Sequence, residues 1–579
     1  MDRKISYPHF GDNHVDNPPS YPQYGDNLVD SLGITSDGPD SRLRNAANHD
    51  MQSDVHMDHT PQRDSVESDS QTDQVNAVAP VDRPAHHQAD TSTSPQRIAF
   101  TTIRPADQTN QTKASETHHR DANPVSINRT MLSLALPTFV QLIAEPAFIL
   151  IDTAIVGHIG DEALAGLSIG STIILTAVGL CIFLAYSTTA QVAHLLGAGR
   201  RREGLQAGID GLWLALGIGI ALVIGLFAGA EPLCRALGGK GAVLQQAVTY
   251  THAVVLGAPG MLLVYAANGI FRGLQKVRIT LVAAVSGAVL NTALEVLFVM
   301  VFRWGIAGSG AATMIAQWYM GLFLVIPAVL WSRSDGASLR PRLDGIRAAG
   351  SDGIPLFIRT LAIRAAMVAT VASAAHMGTS VLAGFQAVNS SWNFAMNMLD
   401  AVGIAGQTLV ATALGAGHVD QAKRLTRATG RAGLVTGAAI GVAFAITGLF
   451  AGHFFSPTPH IQILIAAGMV TMGAFFPLQG WMMAIDGILI GSRDYRYLAA
   501  TCTATAAAYI AVLTLLDGAI MSGGAPAGTA TTTATALGGS GFSNDTMRTV
   551  ALWITFNIVL MGGRGLCNGL RIRTDRWMR

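Results

Sequence analysis

Residues 150–166 read LIDTAIVGHIGDEALAG, and how this stretch is read decides the fold. Its first half closes a run that is almost wholly apolar from Met131 to Val156, broken by Gln141, Glu145 and Asp152. A run of that length crosses a ~30 Å hydrocarbon layer as a helix. An ionised acid within such a span costs about 2.5–3.5 kcal/mol on insertion scales, so Asp152 asks for a functional explanation. The His-x-Gly that follows, 158–160, then marks the outer end of a membrane span.

Outward from this stretch the chain divides. From Met131 onward Ala, Leu, Ile, Val and Gly dominate, in runs of about 20 residues separated by short charged loops. Twelve spans are expected, at 131–156, 164–195, 208–230, 244–267, 279–301, 306–331, 353–375, 381–412, 432–455, 461–489, 497–520 and 549–569. Before Met131 the composition is rich in Asp, Ser, Asn, Gln, Pro and His, which cannot bury a core. Residues 1–128 are therefore read as a disordered cytoplasmic tail, carrying nine of the sixteen histidines and a tandem copy, SYPHFGDNHVD at 6–16 and SYPQYGDNLVD at 20–30. The tail lacks the basic start and apolar core of a signal peptide. Cys181, Cys234, Cys502 and Cys567 are scattered without CxxC spacing, so neither a disulfide framework nor a metal site follows.

The loops after even-numbered spans, with the C-terminus, carry twenty Lys and Arg residues, whereas the opposite loops carry only Arg235, Lys240, Arg303 and Arg548. By the positive-inside rule both termini are expected in the cytoplasm.

A shift of 218 residues superposes the chain on itself without a gap. It brings Pro137 onto Pro355, His158 onto His376, Gly160 onto Gly378, Leu196–Gly199 onto Leu414–Gly417, and NGIFRG (268–273) onto DGILIG (486–491). The molecule is thus an all-α polytopic membrane protein made of two six-helix bundles. Because six is even, both copies enter the membrane in the same direction, and parallel repeats of this kind are a transporter architecture with a central site. The organisation expected is a tail at 1–128, an N-terminal bundle at 129–331, a cytoplasmic linker at 332–350 and a C-terminal bundle at 351–579, in which 521–548 forms a flexible external loop.

Residues that keep the fold recur at the offset, and those with one specialised task need not. The acids do not recur: Glu145 meets Ile363, Asp152 meets Thr370 and Glu295 meets Leu513. Gln141, Glu145 and Asp152, spaced by four and seven, share one face of span 1, near a kink expected at Pro146. Asn291 and Glu295 share a face of span 5. The first half has these three intramembrane acids and no evident base, so they must protonate, bind a cation or face water. The second half has Arg359, Arg364, Asp400 and Asp486, which either pair with one another or face substrate. Asn389, Asn393 and Asn397 form a stripe beside Asp400 that either lines a cavity or joins helices.

LIDTAIVGHIGDEALAG, LLGAGRRREG (195–204), NGIFRGLQ (268–275), NTALEVLFVMVFRWGIAGSGAAT (291–313) and AIDGILIGSRDYRYL (484–498) together resemble the multidrug and toxic compound extrusion family, in its DinF-like branch. The resemblance covers about 131–579. It implies two bundles splayed into a V and export of organic, often cationic or amphipathic, compounds against inward H+ or Na+, with H+ favoured here. It places the coupling ion at Asp152, with the family's helix-5 pair at Asn291 and Glu295, and in sodium-coupled members an ion-binding acid at Asp400 or Asp486. Helix-face spacing adds Glu145 to the coupling residues, and Gln141, Asn389, Asn393, Asn397, Asp400 and Asp486 are expected at the substrate cavity. Glu295 stands where the family has Asp, which keeps the charge on a longer arm. The partners expected are a small organic solute and the lipid bilayer. No nucleic acid, metal or organic cofactor is expected, and the chain is expected to be a monomer in a bacterial cytoplasmic membrane. A Na+-coupled antiporter and a flippase for a lipid-linked precursor are the alternative transport readings. An enzyme is not expected, since the GxSxG match at 166–170 lies in an apolar helix without partners.

One consequence concerns the tail. Because residues 1–128 cannot form a core and precede a complete set of spans, deletion of 1–120 is expected to leave membrane insertion and transport unchanged. Loss of both from a chain that keeps Arg129 and span 1 would contradict this.

Overall fold

The computed structural model describes residues 124–450, 452–521 and 544–578. The readings of the tail and of the external loop lie almost wholly outside the described residues, as does the side chain of Glu145. Among the described residues every regular element is helical. Among the described residues twelve long helical stretches follow in order: α1 (Pro124–Gly157), α2 (Asp161–Gly197), α3 (Arg201–Ala236), α4 (Gly241–Val255 with Ala258–Gly273), α5 (Val277–Val301), α6 (Ile306–Ser334), α7 (Leu343–Met377), α8 (Thr379–Gly415), α9 (Val419–Phe450), α10 (Pro459–Gly491), α11 (Tyr495–Met521) and α12 (Asn544–Ile572); ten of them, and α4 if its bent pair is one span, are long and apolar enough to cross a membrane.

Most observed helices run beyond the expected spans because their ends continue past the apolar window, while α9 ends at Phe450 within its expected span. α4 differs in kind, since its two segments meet at a bend of 47°. Pro259 enters the second segment at its first turn and has no N–H to continue the ladder. At the bend the Leu256 carbonyl accepts from Trp318 Nε1 of α6 at 2.9 Å. The last six residues of α5, Val296–Val301, are wound as π-helix directly after Glu295, a departure that commonly accompanies functional positions.

Packing repeats as the sequence does. α2 and α3 both pack on α4, as α8 and α9 pack on α10, and α1 packs on α5 as α7 packs on α11. The halves join chiefly through α8 against α1 and α2, and through α7 against α3. At the basic-loop end the duplicated Leu-Gly-Ala-Gly segments face each other. A Cβ on Gly197 would meet the backbone of Thr412, and one on Gly415 the backbone of His194. Only glycine lets the ends of α2 and α8 approach this closely, and the approach holds the two halves together on that side. Further links tighten the same end: Asp352 of α7 receives Gln191 Nε2 of α2 at 2.9 Å and Arg493 Nη2 at 2.6 Å.

His158 and His376, the duplicated pair, are exposed at the opposite ends of α1 and α7. His158 Nδ1 lies 2.7 Å from the Ala154 carbonyl of its own helix, and His376 lies 3.8 Å from Asp517. Both have the surroundings of interfacial structural residues.

Candidate functional site

Asp152 and Glu295 meet inside the N-terminal half. α1 carries Asp152, 4% exposed, and α5 carries Glu295, 0% exposed. Ser309 Oγ of α6 donates to Asp152 Oδ1 at 2.6 Å. The Glu295 carboxyl lies near Asp152 and Ser309, and the Tyr250 hydroxyl of α4 near Asp152 and Thr313, while Thr313 Oγ1 itself has no hydrogen-bond partner among the described residues. Asn291, one turn before Glu295, directs its Nδ2 at Glu295 Oε2 from 3.5 Å, while Glu295 Oε1 lacks a hydrogen-bond donor. Four helices thus bring two buried carboxyls into electrostatic reach of each other among hydroxyls, with no basic side chain paired to either among the described residues. Two ionised carboxylates so placed repel strongly in a dry interior, and one proton or one cation between them removes the repulsion.

A cavity of about 230 Å³ opens beside this pair. Its walls are mostly apolar, with Leu167, Ile174, Val178, Met261 and Met320 among them, and its polar groups include Asp152, Tyr186, Asn268, Arg272, Asn397 and Asp400. Apolar walls carrying a few convergent polar groups are the usual make-up of a small-molecule site. Most of the lining comes from the first half, whereas Asn397 and Asp400 come from α8 of the second. Tyr186 Oη of α2 donates to Asp400 Oδ2 at 2.9 Å, so the cavity wall is tied across the two halves.

The residues expected at the site separate into groups. Gln141 lines the cavity, its Oε1 accepting from Thr280 at 3.0 Å and Arg272 at 3.4 Å. Asn397 and Asp400 also line it, whereas Asn389 and Asn393 do not border it, and Asn393 Nδ2 donates to the Asn389 carbonyl of its own helix at 2.9 Å. The asparagine stripe therefore reaches the cavity only at its inner end. Asp486 corrects the reading that placed it in the cavity. It is 1% exposed and enclosed within the second half by Arg359, by Arg564 at 2.7 Å and by Asn568 at 2.8 Å. Of the four second-half charges, Arg359 and Asp486 form the pair, while Asp400 turns to Tyr186.

Two bases escaped the sequence reading. Arg272 lies beyond expected span 4 and counts among the twenty loop charges, yet the second segment of α4 extends through Gly273 and buries it, 5% exposed, in the cavity wall. The first half accordingly has a buried base, and the loop charge bias survives without it. Arg564 stands in α12 within GGRGLCNG, where flanking glycines and apolar residues masked it. The hydroxyls of Ser309, Tyr250 and Tyr186 carried no signal, because such residues are ordinary in membrane helices.

The MatE family model matches residues 137–297 and 355–516, which together make up more than half of the chain and fall one in each half. Among curated relatives, the chain is 28% identical over 407 residues to Protein DETOXIFICATION 44, chloroplastic, of Arabidopsis thaliana, covering 68% of this chain and 77% of that protein. It is 26% identical over 397 residues to DNA damage-inducible protein F of Escherichia coli, covering 68% and 86%. It is 26% identical over 389 residues to multidrug resistance protein MdtK of Yersinia enterocolitica, covering 64% and 82%. A Vibrio cholerae MATE transporter structure superposes with a TM-score of 0.68 at 18% identity, covering 79% of this chain and 100% of that one, a likeness of fold. With a membrane fold duplicated in parallel, a cavity beside a buried acid pair, and a family model matched once in each half, this chain belongs to the MatE family of multidrug efflux transporters, which are not enzymes.

Proposed function

We propose that the chain exports small organic solutes, cationic or amphipathic, by alternating access between its halves, and that the Asp152 and Glu295 carboxyls couple export to inward movement of H+. The observation that carries this reading is the burial of two neighbouring carboxyls, Asp152 at the cavity and Glu295 behind it, with no base paired to either among the described residues. A proton is the smallest ion that relieves the repulsion between them, and relieving it changes how α1 packs on α5 and α6. Of the two second-half acids that could serve sodium, Asp486 already has Arg359, Arg564 and Asn568 around it and Asp400 accepts from Tyr186, which favours H+ over Na+. A flippase for lipid-linked precursors would call for a strongly cationic cavity, and here Asp152 and Asp400 stand beside Arg272.

The halves are joined at the basic-loop end, and we propose that in this state the cavity opens on the opposite side. Protons would load at the carboxyl pair from there while solute leaves. We place the basic loops and both termini in the cytoplasm, in keeping with the positive-inside rule. Within the family we propose the DinF-like branch and a bacterial cytoplasmic membrane on the sequence motifs, with relatives both among plant proteins and in DNA damage-inducible protein F of Escherichia coli. The transporter acts as a monomer and needs no cofactor beyond the coupling ion.

Purified protein in liposomes, preloaded with a fluorescent organic cation and given an H+ or a Na+ gradient separately, tests the proposal. Export is expected under the H+ gradient alone. Export under Na+ alone would overturn it.

A further inference from the structure

The internal repeat exposes a difference between the halves that the coupling reading does not use. At the 218-residue offset Gln141 falls on Arg359 and Asn268 on Asp486. In the second half these positions hold opposite charges in contact, and the pair closes on itself. In the first half both are neutral amides, and a base stands one turn further along, at Arg272, where the second half has Ile490. Asn268 and Arg272 are each 5% exposed and line the cavity.

Arg272 has no carboxylate partner at ion-pairing distance among the described residues. Its Nη2 donates to Gln141 Oε1 at 3.4 Å, a long contact, and its buried Nε has no partner. Across the cavity Asp400, Tyr186 and Tyr265 lie within its electrostatic reach. A guanidinium does not deprotonate in proteins, and its five donors form a rigid planar fork. Asp400 offsets the Arg272 charge from a distance but leaves its hydrogen-bonding fork unfilled, and the group that matches the fork is an oxyanion held by two parallel hydrogen bonds.

We infer that Arg272 is the anion-reading end of the substrate cavity, so that the solute carries a carboxylate or similar oxyanion on an aromatic or amphipathic body. The inference rests on the reading of this cavity as the substrate site. Tyr186, Tyr250, Tyr265, Met261 and Met320 provide the apolar and aromatic walls for that body. Asp400, held by Tyr186, supplies the opposite pole, so a zwitterion meets both charges at once. The cationic solutes proposed above are then those that also bear an acid.

The test compares two rhodamines that share one cationic aromatic body, one with a free carboxylate and the other as its methyl ester. Their affinities for the purified full-length chain are read by fluorescence polarisation. The wild-type protein is expected to bind the carboxylate form at least about tenfold more tightly, the scale of one charge-assisted hydrogen bond. Arg272→Gln brings the ratio close to one, and Arg272→Lys, which keeps the charge without the fork, restores part of it. Asn268→Asp places an acid one turn from Arg272, as an internal partner, and also brings the ratio down while keeping the base. Equal affinity of the wild-type protein for the two dyes overturns the inference, as does a preference that survives both Arg272→Gln and Asn268→Asp. If Arg272→Gln does not fold, the wild-type ratio and Asn268→Asp decide. Export of the dyes in liposomes is scored separately: binding of the carboxylate dye without export of either counts against the proposed function, and export of both at equal affinity counts against Arg272 alone.

Discussion

Asp152→Asn is expected to lower export driven by an H+ gradient on the order of 100-fold, the upper part of the range that coupling free energies of about 1–3 kcal/mol produce. The amide keeps the shape of the carboxyl and can still face Ser309 Oγ, which lies 2.6 Å from Asp152 Oδ1. It cannot take up or release a proton. Glu295 would then lie against a permanently neutral neighbour, and the repulsion that distinguishes the loaded from the unloaded pair would disappear. Abundance and thermal stability are expected to stay near those of the wild-type protein, because the substitution removes a buried charge that has no basic partner among the described residues. Glu295→Gln is expected to impair export less, since Asp152 borders the cavity and Glu295 lies behind it. The measurement is the initial rate of solute export from liposomes under an imposed pH gradient. A wild-type rate for Asp152→Asn would remove Asp152 from the coupling role and turn attention to Glu295 and Glu145.

The second large effect concerns stability. Asp486 is the one acid in a cluster with two arginines, Arg359 and Arg564, and the side chains are 2%, 10% and 3% exposed. Asp486→Asn leaves two guanidiniums buried without an acid and is expected to cost about 3–5 kcal/mol, the usual result of removing one partner from a buried ion pair. Arg359→Gln leaves one base against one acid and is expected to cost less. In the double variant Asp486→Asn, Arg359→Gln, only Arg564 remains uncompensated. A coupling of about 0.5–3 kcal/mol is therefore expected between the two sites. Thermal unfolding of the four proteins in detergent measures it. Additive losses would remove the ion-pair account, and no comparable coupling is expected between Arg364 and Asp400, since Asp400 bonds to Tyr186 instead.

The sequence made the fold legible because membrane spans and an internal repeat are both long-range patterns. A gap-free offset through Pro137, His158 and the two Leu-Gly-Ala-Gly segments specified which helices would pack alike, and the packing of α2 and α3 on α4 does repeat in α8 and α9 on α10. The acid pair was legible in part. Helical spacing put Asp152 on the same face as Gln141, and Asn291 with Glu295, but no local rule says that the two faces meet. Ser309, which completes the site, lies 157 residues from the acid that it serves. Arg272 was lost to the bend in α4, which carries a residue that reads as a loop charge into the cavity wall. Asp486 was assigned to the cavity because an intramembrane acid could be recognised while its second partner, Arg564, was hidden among glycines. Burial and pairing depend on which residues approach across the fold, and hydropathy averaged along the chain does not record this.

The central claim is that solute and proton compete for the same state of the Asp152 and Glu295 pair. If so, solute binding must displace a proton, because coupling between two ligands is reciprocal. The direct measurement is proton release when a transported organic solute is added to purified protein in weakly buffered, sodium-free solution. The account predicts release of about one proton per solute bound near neutral pH, as expected of two carboxyls that share a proton, and loss of that release in Asp152→Asn. Solute binding with no proton release from the wild-type protein, or release that persists unchanged in Asp152→Asn, would contradict it.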